Sequence, residues 1–140
     1  MPKKFIEPYL FFDGRCEEAI EFYRAATGAE VLMQMRFKDS PEPSQPGMLP
    51  PGSENKIMHS TLRIGESTFH ASDGQCRGEG TFAGFSLSLA LPDADEVDCV
   101  FAALAEGGKV VLPPSKTFWS SKFGMLTDRF GVGWMITVAA

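Results

Sequence analysis

Apolar residues recur at helical spacing in two segments, one in each half of the chain. In the first segment the positions that follow the i, i+3, i+4 pattern of a buried helix face are Cys16, Ala19, Ile20, Tyr23 and Ala26. In the second they are Val97, Val100, Phe101 and Leu104. A candidate N-cap aspartate precedes each segment and glycine follows it: Asp13 and Gly28 for the first, Asp93 or Asp95 and the glycines at 107–108 for the second. The pattern predicts two amphipathic helices.

The same order of elements occurs twice along the chain. Residues 9–32 and 86–112 each predict strand, helix, glycine stop and strand, and further strands with a turn follow in both halves. This order predicts an α+β fold of two βαβββ modules, about 5–75 and about 82–140, within a single domain spanning 1–140. Because the one helix of a module covers only one sheet face, we expect the two modules side by side to form one long curved sheet. Its uncovered concave cleft is a candidate ligand site.

The halves differ in a proline-rich segment, residues 37–56, which holds five of the ten prolines of the chain. Proline lacks an N–H donor and disrupts helices and central strands, so this segment is predicted to be a long loop. A loop of this length can be a lid over the cleft. The alternatives are a solvated loop or a dimer contact.

A polar sheet face is predicted around a hairpin turn at Gly65 and Glu66. This turn pairs Thr61 with His70 across two strands. Alternation then places one set of polar side chains on the face away from the helix, namely His59, Thr61, Arg63, Thr68, His70 and Ser72. This face is either exposed to solvent or lines the cleft.

Both histidines of the chain lie on this polar face. Imidazole is a common metal ligand and titrates near neutral pH, so His59 and His70 are candidates to share a metal ion, and His70 is the candidate general base. The alternative is that these side chains only bond to neighbours or water. Arg63 is a candidate to hold a carboxylate or phosphate, or else is solvated near the turn.

The second module adds polar and aromatic candidates to the cleft. Ser86 and Ser88 belong to its first strand region, and Phe118 and Trp119, together with Phe12 of the first module, are candidates to stack on a ligand. The alternative for each of these rings is packing in the core. We therefore interpret Ser72, Ser86, Ser88 and Trp119 as substrate contacts beside His59, Thr61 and Arg63.

Charge and cysteine content limit the classes of partner. The net charge is −5 and the 13 basic residues form no stripe, so a nucleic-acid partner is disfavoured. Cys16, Cys76 and Cys99 match no zinc or disulfide spacing and are expected to be reduced thiols. No apolar run approaches the roughly 20 residues that span a bilayer, and the N-terminal sequence is not typical of a leader, so we expect a cytoplasmic protein with no membrane partner.

Residues 8–23, 58–74 and 118–138 carry a resemblance that covers nearly the whole chain. They resemble the PhnB-like branch of the vicinal oxygen chelate superfamily, which includes glyoxalase I, fosfomycin-resistance proteins, extradiol dioxygenases and bleomycin-binding proteins. The most specific part contains Trp119, Phe123, Gly124, Asp128, Phe130, Gly131 and Trp134. The resemblance implies two βαβββ modules that form an open, barrel-like mixed sheet around a concave cleft, and a homodimer. Members of the branch often carry the label 3-demethylubiquinone 3-methyltransferase.

The resemblance also implies four metal-ligand positions in the cleft, which fall here on Pro8, His70, Ser88 and Met135. Only His70 is a good ligand for a divalent metal, because proline has no side-chain donor and a thioether suits copper(I). Met135 thus becomes a candidate substrate contact. His59 can replace a ligand only with a nearby carboxylate, and strand alternation predicts that Glu7 and Asp73 point away from the face that holds Pro8 and His70.

Three function classes follow. The first is a small-molecule-binding protein without the superfamily's metal and with no cofactor, whose ligand is aromatic or cationic. The second is a metal-dependent superfamily enzyme, of lyase, isomerase or dioxygenase type, that uses His70. The third is an interaction protein whose dimer surface matters more than its cleft. Methyl transfer is disfavoured, because the glycines serve helix ends and hairpins and the chain lacks a glycine-rich cofactor turn.

Overall fold

A computed structural model describes residues 3–41, 50–74, 76 and 81–139 of the chain. The chain divides into two units, Met1–Gly80 (unit 1) and Thr81–Ala140 (unit 2). Each unit has its own helix and its own four-stranded sheet. Within the described residues, no helix is both long and apolar enough to cross a membrane.

Unit 1 has the predicted βαβββ order. Its elements are β1 (Tyr9–Phe11), α1 (Cys16–Thr27), β2 (Glu30–Arg36), β3 (Ile57–Ile64) and β4 (Ser67–Ser72). The strands are arranged β1-β4-β3-β2, with β1 parallel to β4 and the other pairs antiparallel. A parallel β1 therefore borders the hairpin of β3 and β4.

The link between β2 and β3 spans the predicted proline-rich loop. Its described part contains two 3₁₀ turns, Phe37–Asp39 and Ser53–Asn55, and neither α-helix nor strand. Residues 42–49 of the predicted loop lie outside the described residues. The roles considered for this loop, a lid or a dimer contact, stay predictions.

The buried face of α1 confirms the helical pattern of the sequence. Cys16, Ala19, Ile20 and Tyr23 are buried, and Ala26 is half-buried. The helix ends at Gly28, whose φ of 76° is a left-handed conformation that glycine adopts without strain. Burial of this stripe against one face of the sheet leaves the opposite face open.

The start of α1 corrects the prediction that Asp13 is its N-cap. Asp13 lies three residues before the helix with a φ of 48°. The buried Asp73 takes the capping role, because its Oδ1 accepts hydrogen bonds from the N–H groups of Gly14 (2.7 Å) and Cys16 (2.8 Å). Its Oδ2 accepts from the N–H of Ile57 at 2.8 Å. One carboxylate thus joins the start of α1, the start of β3 and the end of β4.

Unit 2 repeats the order with β5 (Leu87–Leu91), α2 (Ala94–Ala105), β6 (Lys109–Ser115), β7 (Phe123–Thr127) and β8 (Gly133–Val138). Its strands are arranged β5-β8-β7-β6, and β5 is parallel to β8. The prediction that Asp93 caps the second helix is confirmed, since its side chain accepts a hydrogen bond from the N–H of Glu96 at 2.9 Å. Val97, Phe101 and Leu104 form the buried face of α2.

The fold class is therefore the predicted one, an α+β fold of two βαβββ modules with mixed sheets. In each unit the helix covers one face of the sheet, and the buried aromatic and aliphatic side chains lie between them. The concave cleft expected from the two modules together stays a prediction.

Candidate functional site

The open face of the unit 1 sheet, turned away from α1, brings three strands together at one level. Strand register places Thr61 of β3 and Tyr9 of β1 opposite His70 of β4. The predicted pairing of Thr61 with His70 is confirmed. Because directly paired residues point to the same face, the three side chains project side by side.

Four aromatic rings form a continuous surface on this face, here called the ring platform: Tyr9, Phe11, His59 and His70. The Tyr9 ring stacks on Phe11 at 4.9 Å between centroids and on His70 at 5.5 Å. The His59 ring lies 5.3 Å from His70 and 5.6 Å from Tyr9. The planes of these pairs differ by 22° to 34°. Tyr9 and Phe11 are 41% and 50% exposed, so these two rings of the platform are accessible from solvent.

A chain of hydrogen bonds runs through the polar atoms of the platform. The Tyr9 hydroxyl lies 2.8 Å from His59 Nδ1, and His59 Nε2 lies 3.4 Å from Thr61 Oγ1. The same Thr61 oxygen is 3.1 Å from His70 Nδ1. At the far end, His70 Nε2 is 2.8 Å from Glu7 Oε1. Five side chains therefore form one connected network.

The carboxylate of Glu7 fixes the direction of this chain. An ionised carboxylate only accepts, so His70 Nε2 donates to it. In a neutral ring the Nδ1 atom of His70 then accepts, which makes Thr61 the donor, and the same reasoning passes through His59 to Tyr9. With both imidazoles neutral, every hydrogen in the chain points from Tyr9 toward Glu7.

The environments of His59 and Tyr9 favour the uncharged form of each side chain. Partial burial, with a smaller repulsion from His70, lowers the pKa of His59 below its ordinary value. Burial is also the main cause that raises the pKa of Tyr9, opposed by the neighbouring Ser72 hydroxyl and assisted by Cys16. Near neutral pH, His59 is therefore an uncharged acceptor for a protonated Tyr9.

The position of Glu7 corrects the prediction that it points away from His70. That prediction counts the alternation from Pro8, but the register with β4 places Tyr9 and Phe11 on the face of His70. Glu7 lies two residues before Tyr9 and reaches the same face, where its Oε1 is 2.8 Å from His70 Nε2. The prediction for Asp73 is confirmed, because its carboxylate is buried at the start of α1.

Tyr9 is the main site residue absent from the sequence-based set. The family position was placed on Pro8, but Pro8 contributes only its carbonyl, which accepts from the N–H of His70 at 2.9 Å. The stretch YLFF, residues 9–12, is apolar throughout, so alternation there does not show which side chains face the core. The parallel register with β4 resolves this and places Tyr9, not Pro8, beside His70.

The donors at the four metal positions do not fit a divalent metal site. Both ring nitrogens of His70 are engaged, by Thr61 and by Glu7, so ligation would have to displace one of these bonds. Serine, methionine and proline complete the implied set. Within the described residues, no group of three or more His, Cys, Asp or Glu side chains is arranged to hold a metal ion.

Ser72 and Arg63 share this face but have partners of their own. Ser72 is buried, and its Oγ accepts a hydrogen bond from the N–H of Gly74 at 2.8 Å. Arg63 is exposed, and its Nη2 donates to Glu30 Oε2 at 2.8 Å. Arg63 therefore stands apart from the hydrogen-bond chain of the platform, whereas the Ser72 hydroxyl also interacts with Tyr9 at one end of it.

The aromatic candidates separate into core and surface. Phe12 is buried at 4% exposure, with its ring 6.1 Å from that of Tyr23, so the prediction that it stacks on a ligand is wrong. Trp119 is 56% exposed, and its ring meets those of Phe118 and Phe123 edge-on. Trp119 thus has a surface that a ligand can reach.

In unit 2 the structure brings Ser88 and Met135 together. They are directly paired between β5 and β8, and Met125 of β7 is opposite Met135. Ser86 precedes β5, and its hydroxyl lies close to Gly133 at the start of β8. The corresponding level of the unit 2 sheet therefore carries a hydroxyl and two thioethers, without a titratable group among these three.

Comparison with known proteins gives a consistent family. The profile of the family described as 3-demethylubiquinone-9 3-methyltransferase matches residues 4–137. Protein YjdN of Escherichia coli (strain K12) is 36% identical over 138 residues, covering 95% of this chain and 94% of YjdN.

Two solved structures extend this similarity to the fold. Protein PA1353 from Pseudomonas aeruginosa is 39% identical, with a TM-score of 0.84 over 97% of this chain and 98% of that one. A Bacillus cereus protein described as a putative 3-demethylubiquinone-9 3-methyltransferase, PhnB protein, is 30% identical, with a TM-score of 0.78 over 97% of this chain and all of that one. The matched profile and these relatives agree with the PhnB-like resemblance of the sequence, and the chain belongs to this family.

Proposed function

We propose that this protein binds a flat aromatic small molecule on the ring platform of unit 1, without the help of a metal ion. The observation that carries the proposal is the set of stacked, nearly parallel rings of Tyr9, Phe11, His59 and His70. Two of these rings, Tyr9 and Phe11, are 41% and 50% exposed. Aromatic rings held in this way provide a large contact area with little loss of side-chain freedom on binding.

The hydrogen-bond chain supports the same role. It connects three of the four rings to Thr61 and Glu7, so the platform is held in one arrangement before a ligand arrives. Preorganisation of this kind lowers the entropy lost on binding. Of the sequence-predicted contacts, His59, Thr61 and His70 belong to this site; Arg63, Ser72, Ser86, Ser88, Trp119 and Met135 stay predictions.

The structure of unit 1 supports binding over methyl transfer, although the family description names a methyltransferase. Nucleotide-type cofactors commonly place an anionic or polar group at the start of a helix that follows a glycine turn. In unit 1 the N–H groups of Gly14 and Cys16 are already bonded to Asp73. The start of α1 is thereby occupied by a carboxylate of the protein itself.

Titration with naphthalene-2-carboxamide, a neutral two-ring probe, tests the proposal. We expect binding that is detected by calorimetry and by saturation-transfer NMR, and a loss of about tenfold in affinity for Tyr9→Ala, because one of the two most exposed rings of the platform is removed. The matched control is Phe85→Ala, which removes a similarly exposed ring from unit 2. Absence of binding, or equal loss in both variants, contradicts the proposal.

We also propose that the protein works as a cytoplasmic homodimer. Strand β6 is an edge strand on which Val110, Val111 and Leu112 are 48%, 56% and 38% exposed, and such an apolar edge is typically covered by a partner. The free thiols of the described cysteines support a reducing compartment.

Analytical ultracentrifugation tests the dimer. We expect the wild type to sediment as a dimer and Val111→Lys to sediment as a monomer. A monomeric wild type contradicts the dimer, and Ala102→Lys on the exposed side of α2 is the control.

A further inference from the structure

We infer that the ligand of the ring platform is a flat cation that carries N–H donors, such as an aromatic amidine or amine. This inference rests on the proposed binding function and adds the chemical class of the ligand. It follows from the hydrogen atoms that the network uses and from the charge at its end.

The network leaves acceptors for a ligand but few donors. In the neutral state Tyr9, His59, Thr61 and His70 each have one side-chain hydrogen on a polar atom, and the chain uses all four. A ligand group that needs a hydrogen from these side chains would have to break the chain. A ligand that brings its own N–H groups finds lone pairs that accept them.

Glu7 is the strongest of these acceptors. Its carboxylate has about four lone-pair positions, and His70 uses one of them. The Glu7 side chain is 27% exposed and that of His70 is 22% exposed, so the carboxylate can be reached from the platform edge. A hydrogen bond between a charged donor and a charged acceptor is roughly twice as strong as a neutral one.

The ring faces favour the same charge. Phe11 stacks on Tyr9 and is 50% exposed, and the part of its π face that is left open carries partial negative charge that attracts a cation. Arg63, which lies on the same face of β3, does not change this sign, because its guanidinium is paired with Glu30. An anionic ligand would meet the carboxylate of Glu7 without a donor to offset the repulsion.

Three probes with the same two rings separate charge from shape: 2-naphthamidine (cation), naphthalene-2-carboxamide (neutral) and 2-naphthoate (anion). We expect calorimetry at neutral pH to show 2-naphthamidine binding at least about tenfold tighter than 2-naphthoate, since only the cation gains a charge-assisted bond. In Glu7→Gln, which keeps an acceptor for His70 but removes the charge, this ratio falls to about threefold or less.

The control variant is Glu66→Gln, which removes one negative charge at the exposed hairpin turn of the same unit. Its cation preference stays at the wild-type value if the effect comes from contact with Glu7. Equal affinities for cation and anion, or equal loss of the preference in both variants, overturn the inference while binding of the neutral probe sustains the proposed function. Binding of none of the three probes overturns both.

Discussion

Where Tyr9, His70 and Thr61 meet across the sheet of unit 1, unit 2 carries Ser88, Met135 and Met125 on the corresponding strands. Both units have the same strand order and the same parallel pairing of the first strand with the last. The backbone therefore offers two equivalent open faces. Only unit 1 fills this level with side chains that titrate and donate, so the chemistry of the site comes from side-chain choice and not from the repeated fold.

The covered faces also differ. Ser60 of β3 and Gly124 of β7 stand at equivalent places, next to Thr61 and Met125. Ser60 is buried and donates to the carbonyl of Ala71 at 2.7 Å. At Gly124 a Cβ atom would lie 2.7 Å from the ring of Phe101 on α2. Unit 1 uses a buried hydrogen bond where unit 2 uses close approach of a helix to the sheet.

The largest expected effect tests whether unit 1 depends on its single connecting carboxylate. In Asp73→Ala three backbone N–H groups lose their acceptor, and we expect the free energy of unfolding to fall by about 4 kcal/mol. Hydrogen exchange of the backbone amides of α1 is expected to be faster in this variant than in the wild type. Urea denaturation and hydrogen-exchange mass spectrometry measure the two effects.

Asp95→Ala is the control, since Asp95 is exposed in the first turn of α2 and its loss is expected to change stability by less than about 0.5 kcal/mol. If Asp73→Ala costs no more than this control, the connecting role assigned to the carboxylate is wrong.

A smaller effect is expected where unit 2 lacks a side chain. Gly124→Ala places a methyl group against the buried Phe101 ring, which overpacks the interface of α2 and β7 and costs about 2 kcal/mol. At the equivalent place in unit 1, Ser60→Ala removes one buried hydrogen bond and costs about 1 kcal/mol. Urea midpoints of both variants, with the exposed Ala90→Ser as reference, test this order; the reverse order contradicts it.

Thr61→Val sharpens the comparison of the two open faces. Valine has a similar volume but removes the hydroxyl that connects His59 with His70, so the direction of the hydrogens is no longer imposed. Because the charge of Glu7 is kept, we expect the affinity ratio of 2-naphthamidine to 2-naphthoate to fall by only about twofold. Thr127→Val makes the same change on β7 of unit 2 and is expected to leave the ratio unchanged. Calorimetry that shows the same loss in both variants would place the determinant elsewhere.

The smallest expected effect is on the pH dependence of the free energy of unfolding. The pKa of His59 is lower in the folded state than in the unfolded state, where it is about 6.5. As pH falls below that value, the unfolded chain takes up a proton on His59 more readily than the folded chain does. Stability contributed by neutral His59 is therefore present above that value, and declines as pH falls until the folded pKa is passed. His59→Gln removes this contribution, and we expect urea midpoints between about pH 8 and pH 5 to decline less steeply for the variant. Parallel slopes contradict the assignment.

Local patterns in the sequence predict much of this structure. The faces of α1 and α2 follow helical spacing, and the pairing around Gly65 and Glu66 follows from one turn. These signals lie within a few residues of each other, so no information about distant contacts is needed. The pairing of Thr61 with His70 is part of this local information.

The missing parts of the site depend on contacts between distant residues. Asp73 caps a helix that begins 57 residues earlier in the chain, and Glu7 reaches an imidazole 63 residues later. Neither separation leaves a periodic signal. The sequence analysis did not select Tyr9 as a site residue for a related reason. Only the parallel register with β4 shows which residues of the stretch YLFF face outward. Sequence patterns thus find the site residues of the β3–β4 hairpin but not those that reach the site from distant segments of the chain.

The parallel pairing of β1 with β4 has a consequence for when a newly synthesised chain becomes able to bind a ligand on the platform. Tyr9 and Phe11 leave the ribosome well before their partners in β4, and β1 has no other strand neighbour in the described sheet. Contacts between such distant segments form late in folding. The platform therefore arises only when unit 1 is nearly complete. A ligand that binds it stabilises finished molecules by mass action and leaves nascent chains unaffected.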